Sequence, residues 1–226
     1  MKYYVLIILS VVLFLTGCTL SGRSPSNIGD WFPSFSEGDT VSYFVSDSMF
    51  IHWETDTLTL ENEDIDTYSA YEEIVSVDES SSMITVKINY WDDNDSLAGY
   101  YYICDKENHR ICLSYDSVPG TGDIVLLTVP VDSGTGWSSD GYSGESYTFS
   151  ITQNPSKKRV YNNDYYNVLS VESNELLHGK LYEIFWWSYE HGLVKRIITS
   201  RSVEDIGTSG YVERIRTLKY SRSSRD

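Results

Sequence analysis

The first half of this sequence carries very little basic charge. Between Trp31 and Tyr100 the only lysine or arginine is Lys87, whereas aspartate and glutamate are frequent there. The whole chain has 17 basic and 33 acidic residues, which gives a formal net charge of −16. A nucleic-acid-binding protein needs a net basic face to displace counterions from phosphate. The composition therefore argues against a nucleic-acid partner.

The charge balance reverses near the end of the chain, where basic residues predominate from Lys195 onward. They could contact anionic lipid headgroups, or they could pair with the acidic half of the chain. We favour pairing, and we expect most other charges to form a solvated surface.

Motifs for catalysis and metal binding are also missing. The sequence contains no Gly-x-Ser-x-Gly, the turn that carries the nucleophile of many serine hydrolases. It has three cysteines and no Cys-x-x-Cys, so a zinc pattern is absent. An enzyme would need convergent titratable groups in one pocket, which nothing in the sequence requires. We expect no catalytic residues, no metal and no cofactor.

Sustained helical periodicity is absent beyond the N-terminal region. Short runs rich in Val, Ile, Thr and Tyr alternate with Gly, Asp, Asn and Ser, which is typical of antiparallel sheets with one solvated face. We predict an all-β antiparallel meander that forms either a curved half-barrel or two packed sheets. The predicted strands are 40–45, 50–60, 71–77, 83–91, 98–104, 110–115, 124–131, 146–153, 165–172, 180–189, 193–201 and 211–220.

The sequence has one long apolar run, residues 5–15, which follows Lys2 and precedes Leu15-Thr16-Gly17-Cys18. The run is shorter than the ~20 residues of a membrane-spanning helix, and a single positive charge before it is typical of a secretory signal peptide. A transmembrane anchor or a buried N-terminus is the alternative. We favour the signal peptide because a spanning helix would not need Gly-Cys at its end.

The tetrapeptide that ends in Cys18 resembles the lipobox of bacterial lipoproteins. That resemblance implies cleavage before Cys18, acylation of this residue and attachment to a membrane without spanning it. The implied domains are a signal peptide (1–17), a lipidated cysteine with a flexible linker (18–30) and a single β domain (31–226). The implied location is the bacterial envelope, at the outer membrane of a diderm host or the outer face of a monoderm plasma membrane.

A second, looser resemblance covers about 95 residues from Tyr100 onward. Four features follow one another in this region. They are a Tyr-rich hairpin, the segment Leu126-Leu127-Thr128-Val129-Pro130, the segment Gly134-Thr135-Gly136-Trp137, and a late aromatic strand that ends in Gly192-Leu193-Val194-Lys195. This order is similar to that of uncharacterised envelope lipoproteins with antiparallel β domains. The half-barrels of lipoprotein carriers are a more distant likeness. Both imply a fold type and an envelope location without a known chemistry.

Two cysteines remain after Cys18 is assigned to the lipid. Cys104 and Cys112 flank a turn-forming segment, and a hairpin centred on Asn108 would place them opposite each other, within disulfide range. An exported protein meets an oxidising environment. We predict a disulfide, with two small buried thiols as the alternative.

The aromatic strand near residue 186 is the candidate ligand site: Tyr182, Trp186, Trp187 and Tyr189. Adjacent tryptophans on a strand point to opposite faces, so at least one of them needs cover on the second face. That face could form a groove for a hydrophobic, glycan or peptide ligand, or another part of the chain could cover it.

These observations leave three hypotheses for function. The first is a lipid-anchored, non-enzymatic binding or scaffolding β domain. The second is a structural or assembly lipoprotein that acts through protein–protein contacts at an exposed edge strand or acidic face. The third, a hydrolase, has the least support.

Overall fold

The structure, a computed structural model, describes residues 27–55, 59–92, 98–115, 124–140, 146–173, 181–205 and 210–223. One short 3₁₀ helix, Ile28–Trp31, precedes twelve strands. The strands are β1 (Thr40–Thr55), β2 (Thr59–Glu79), β3 (Met83–Asp92), β4 (Ala98–Asp105), β5 (Arg110–Ser114), β6 (Ile124–Thr128), β7 (Gly136–Asp140), β8 (Ser146–Val160), β9 (Asn163–Ser173), β10 (Leu181–Ser188), β11 (Gly192–Asp205) and β12 (Gly210–Arg222).

All twelve strands belong to one antiparallel sheet, which confirms the all-β prediction. The order β6-β5-β4-β3-β2-β1-β12-β11-β10-β9-β8-β7 makes β1 and β12 central neighbours and leaves β6 and β7 at the two ends. The sheet curls until these ends meet. The Val125 amide donates to Ser139 Oγ at 2.8 Å, and the Trp137 indole donates to the Val125 carbonyl at 2.8 Å. The result is one nearly closed barrel rather than two packed sheets.

Strand alternation decides which side chains fill the barrel. On β3, Val86 and Ile88 are fully buried in the main core, and on β4 the inward positions are Tyr100, Tyr102 and Cys104. Inward side chains from both halves of the sheet form this core, and burial of apolar area supplies its stability at about 25 cal/mol per Å².

The two ends of the barrel differ. The short described turns 80–82, 106–109, 161–162 and 189–191 lie together at one end, which we call the plug end. At the other, distal end, the register of β2 with β3 stops at the pair Ala70–Asp92, whereas β1 and β2 continue together to residues 54 and 59. Strands β2, β1, β12 and β11 therefore extend beyond their neighbours as a four-stranded ribbon.

The segment before β1 closes the plug end. The Asn27 side chain accepts a hydrogen bond from the Gly29 amide and caps the 3₁₀ helix, and both Ile28 and Trp31 are fully buried. The Trp187 indole donates to the Trp31 carbonyl at 2.7 Å. Ile28, which lies within the linker predicted for residues 18–30, is part of this core.

A second, smaller cluster lies on the outer face of the barrel. The ends of β8 and β9 fold over β10 and β11, so that Val160, Tyr165, Val168 and Val194 are buried with Trp186 packed against them. This hairpin covers part of the Trp186 side chain, which remains partly exposed on the outer face.

The predicted disulfide is not formed. Register pairs Cys104 with Ile111 and Cys112 with Ile103, so the two cysteines are offset by one residue and their side chains point to opposite faces. Both are buried thiols, and Cys104 lies in the main core. The two cysteines are small buried thiols, which was the alternative to the disulfide.

Among the described residues, no helix is long and apolar enough to cross a membrane.

The two adjacent tryptophans should differ in their effect on stability. Trp187→Phe removes a fully buried indole and its hydrogen bond to Trp31, so we expect the free energy of unfolding to fall by about 2 kcal/mol. The matched change Trp186→Phe should cost less than about 1 kcal/mol, because that ring is only partly buried. Urea denaturation followed by circular dichroism measures both values, and the reverse order would contradict the assigned faces.

Candidate functional site

A pocket of about 240 Å³ lies inside the barrel, toward its distal end. Six tyrosine side chains line it: Tyr43, Tyr90, Tyr100, Tyr102, Tyr115 and Tyr220. Tyr115 is 50% exposed, and Ala98 at the start of β4 is exposed too, so the pocket opens to solvent at this side. It is smaller than the ~300–1,000 Å³ of sites for drug-sized ligands, and it suits a single small ring.

Glu72 is the carboxyl group of this pocket, and strand alternation aims it inward. On β2, Ala70, Glu72 and Ile74 are all buried while the residues between them are exposed. Glu72 is 5% exposed. A carboxyl therefore occupies a position in the row that otherwise carries apolar side chains.

Three tyrosine hydroxyls converge on the Glu72 carboxyl. Tyr43 donates to Oε2 at 3.1 Å, Tyr102 donates to Oε1 at 3.4 Å, and Tyr100 also donates to Oε1. Burying a carboxyl without partners is costly, and these donors offset part of that cost. They also hold the three rings in place around it.

Burial raises the pKa of the Glu72 carboxyl above its usual value of 4.5, and hydrogen bonds from Tyr100 and Tyr43 only partly oppose that shift. Burial, followed by the Glu72 charge, also raises the pKa of Tyr43, Tyr100 and Tyr102 well above 10. The three hydroxyls therefore remain protonated donors at neutral pH.

Arg196 brings a guanidinium group to the same pocket. A bulge between Trp186 and Trp187 shifts the β10–β11 register, so that Trp187 faces Leu193 and Trp186 faces Lys195. This shift allows Leu193 and Arg196, three residues apart on one strand, to line the pocket together. Arg196 Nε donates to Glu183 Oε1 at 2.6 Å, and Glu183 is 6% exposed. The ion pair uses Nε, which leaves the two terminal nitrogens for other acceptors.

The pocket combines flat aromatic faces with hydrogen-bonding groups of both kinds. Tyrosine rings stack on an apolar ring face, Glu72 can accept or, when protonated, donate, and Arg196 donates. This chemistry matches a small ligand that has an apolar face and several hydroxyl groups.

The residues predicted as the ligand site do not line a common groove. Trp187 is 1% exposed in the core, and Tyr189 packs edge-on against Trp31 with ring centroids 5.5 Å apart. Trp186 lies on the outer face, where Tyr182 donates to Glu172 at 2.9 Å. The tryptophans point to opposite faces as predicted: Trp187 is buried in the core, and Trp186 packs in part against the β8–β9 hairpin, so the four residues do not share one surface.

Two further expectations concern other parts of the chain. Cys18 and the predicted signal peptide lie outside the described residues. Within the described ranges, no group of three His, Cys, Asp or Glu residues converges as a metal site would require.

The pocket residues were missed from sequence, although one signal was available. The inward positions of β2 run Tyr68, Ala70, Glu72 and Ile74, and a lone carboxyl in such a row marks a buried charge. No comparable signal identifies Arg196, because its place depends on the bulge in β10–β11.

No protein-family model matches this chain, and no curated protein matches it. Two solved structures are similar in part. One is a "putative exported protein with YmcC-like fold" from Bacteroides fragilis, with a TM-score of 0.37 and 11% identity over 81% of this chain and 95% of that one. The other is a "putative lipoprotein" from Parabacteroides distasonis, with a TM-score of 0.33 and 11% identity over 82% of this chain and 96% of that one. Similarity at this level carries no argument about function, which rests on the geometry of the chain itself.

The raised pKa of Glu72 predicts a pH-dependent stability. The folded state favours the protonated carboxyl, so the contribution of this group to stability is fully present below its ordinary pKa of 4.5 and is lost as pH rises toward the higher folded-state pKa. Glu72→Gln removes this loss, and the advantage of the variant over the wild type should grow with pH across that window. Urea midpoints measured at several pH values test this. The control is Glu73→Gln on the exposed face. A stability difference between Glu72→Gln and the wild type that stays constant or shrinks as pH rises would contradict the raised pKa of Glu72.

Proposed function

We propose that this chain is a lipid-anchored binding protein of the bacterial envelope, and that its tyrosine-lined pocket holds a small hydroxylated ring such as one sugar unit. The observation that supports this proposal is the convergence of Tyr43, Tyr100 and Tyr102 on the buried carboxyl of Glu72 beside an open pocket. Anchor and pocket play separate parts: Cys18 holds the protein at a membrane, and the barrel binds the ligand.

The proposal includes a non-enzymatic role. A buried carboxyl with a raised pKa, together with an arginine in one pocket, meets part of the description of an active site. Both Glu72 oxygens, however, accept tyrosine hydroxyls, and the Arg196 Nε is engaged by Glu183. Groups held this way are better suited to fixing the position of a ligand than to transferring a proton during turnover.

The strand geometry explains why a pocket exists in an otherwise filled barrel. Trp31 and Trp187 fill the plug end, whereas tyrosines with polar tips replace large apolar side chains toward the distal end. Space between these tips can admit a ligand that satisfies them. A pocket of this kind selects ligands by hydrogen bonding, because a ligand without hydroxyls would leave polar groups unsatisfied.

An assembly role is the second candidate, and a free sheet edge favours it. No described residue pairs with the outer edge of β2 over residues 59–68, where Leu60 and Ile65 are 48% and 57% exposed. An added strand could pair there. Glu61, Glu63, Asp64 and Asp66 on the same edge oppose uncontrolled pairing, because like charges repel a second copy.

The anchor is tested by the mass of the mature protein. Cys18→Ala should leave the protein without acyl chains and with an uncleaved signal, since both processing steps depend on this cysteine in proteins with a lipobox. We expect mass spectrometry of the N-terminal peptide from wild-type protein to show an acylated Cys18. An unmodified N-terminus at that residue would contradict the anchor and leave the pocket proposal standing.

The pocket proposal is tested by measuring, with calorimetry, the binding of monosaccharides and other small hydroxylated rings. We expect Ala98→Trp, which obstructs the mouth, and Tyr115→Ala, which removes an aromatic face, each to weaken binding by about tenfold or more. The matched control is Tyr166→Ala, because Tyr166 is 55% exposed on the outside of the barrel, close to the 50% of Tyr115.

Two outcomes would count against the pocket. Ligands that bind equally well to Ala98→Trp occupy another site. A protein partner that is retained by Ala98→Trp and lost on Ile65→Pro would favour the assembly role, since proline on the free edge blocks added strands.

A further inference from the structure

A row of aromatic and basic side chains crosses the outer face of four strands near the plug end. Register places Trp186 on β10 beside Lys195 on β11, Lys195 beside Ser221 on β12, and Ser221 beside Phe44 on β1. Because directly opposed residues share a sheet face, this row lies on one side of the barrel wall.

Three lysines gather around this row. Lys195 Nζ lies 4.1 Å and Lys158 Nζ 5.2 Å from the centre of the Trp186 ring, and Lys219 pairs with Ile197 two residues farther along β11. None of the ion pairs in the described part of the chain involves these three lysines, although the protein as a whole is strongly acidic. Desolvation and then the charges of Lys219 and Lys158 lower the pKa of Lys195, which is consistent with crowding of like charges.

Exposed aromatic rings adjoin the lysines. Tyr161, at the turn between β8 and β9, is 52% exposed and stacks on Phe44, which is 36% exposed, with ring centroids 5.6 Å apart. Lysines with long apolar stems and amphipathic rings are the side chains that settle at a membrane–water interface. We call Phe44, Lys158, Tyr161, Trp186, Lys195 and Lys219 the basic–aromatic patch.

The patch lies at the end of the barrel where the N-terminal segment enters. The Gly29 backbone lies near Lys106 in the turn after β4, and Pro33 lies against Gly192 in the turn before β11, so residues 27–39 cross the plug end. Residues 19–26, which belong to the linker predicted from composition and lie outside the described residues, separate Cys18 from Asn27; a linker of eight residues spans roughly 16 Å. A lipid on Cys18 would therefore keep this end close to the bilayer.

We infer that the basic–aromatic patch rests on the anionic headgroups of the membrane that holds Cys18. This inference depends on the lipid anchor of the proposed function. Lipid phosphates supply the negative charge that the three lysines lack, and Trp186, Tyr161 and Phe44 meet the interface. The outer face of strands β10–β12 then lies against the membrane, and the pocket at the distal end remains accessible.

The charge of the rest of the molecule supports this orientation. Along the ribbon at the distal end, Arg201, Arg214 and Arg216 are paired with Glu213, Glu204 and Asp47. The carboxylates of Glu63, Asp64 and Asp66 on β2 take part in none of the described ion pairs. An anionic surface would repel the acidic distal end and attract the basic–aromatic patch. Both effects act only within a Debye length of about 8–10 Å, so they operate when the protein lies close to the membrane.

The experiment measures how fast a water-soluble amine reagent labels individual lysines of the mature lipidated protein in vesicles. Vesicles of phosphatidylcholine alone are compared with vesicles that also contain phosphatidylglycerol. We expect Lys195 and Lys219 to be labelled about threefold or more slowly in the anionic vesicles and to recover at high salt. Lys87 on β3, on the other side of the barrel, should be labelled at the same rate in both.

Matched variants separate the patch from net charge. Lys219→Glu should abolish the protection of Lys195, whereas Lys87→Glu, with the same change in net charge, should preserve it. Circular dichroism of each variant checks that the barrel is intact.

The outcomes distinguish this inference from the anchor. Equal labelling in both vesicle types on protein whose Cys18 carries lipid would overturn the patch and leave the anchor in place. Finding no lipid on Cys18 would contradict the anchor. Labelling of that protein with added vesicles would then test whether the basic–aromatic patch contacts anionic lipid without an anchor. Protection by a soluble anionic polysaccharide, with none by anionic vesicles, would also overturn the membrane as the partner.

Discussion

The hydrogen bond from the Trp187 indole to the Trp31 carbonyl joins residues 156 positions apart and holds the N-terminal segment inside the barrel. Around it, Ile28, Trp31 and Trp187 are completely or almost completely buried, and Tyr189 packs edge-on against Trp31. A twelve-stranded barrel is wide for side chains alone to fill, so a segment of chain must occupy one end. This plug fills one end of the interior and packs against the core side chains there.

With one end filled, the other end can be polar. Glu72 occupies an inward position of β2 only because three tyrosine hydroxyls and nearby basic groups offset its desolvation. The same tyrosines do not fill the space around it, which leaves the pocket. A stable core and a candidate binding site thus share one interior, divided along the barrel axis.

Local pattern predicted much of the fold. Eight of the twelve predicted segments lie within single strands and three more each cover one strand, because period-two alternation directly reflects which side chains face the core. The pattern placed a strand through residues 56–58, where β1 ends and β2 begins, and it missed β7 (Gly136–Asp140). The five residues of β7 include one glycine and two serines, so propensity alone does not mark them as a strand.

The strand class, the opposed faces of Trp186 and Trp187, and the weak basic charge of the first half could all be inferred from the amino-acid sequence. These features depend on neighbours within a few residues. Three features could be learned only from the folded chain: the register of the strands that makes one face interior, the one-residue offset between Cys104 and Cys112, and the shared pocket of Glu72 and Arg196. The first two depend on strand register, and the third also depends on a bulge that brings together residues more than a hundred positions apart; neither register nor bulge leaves a local pattern in the chain.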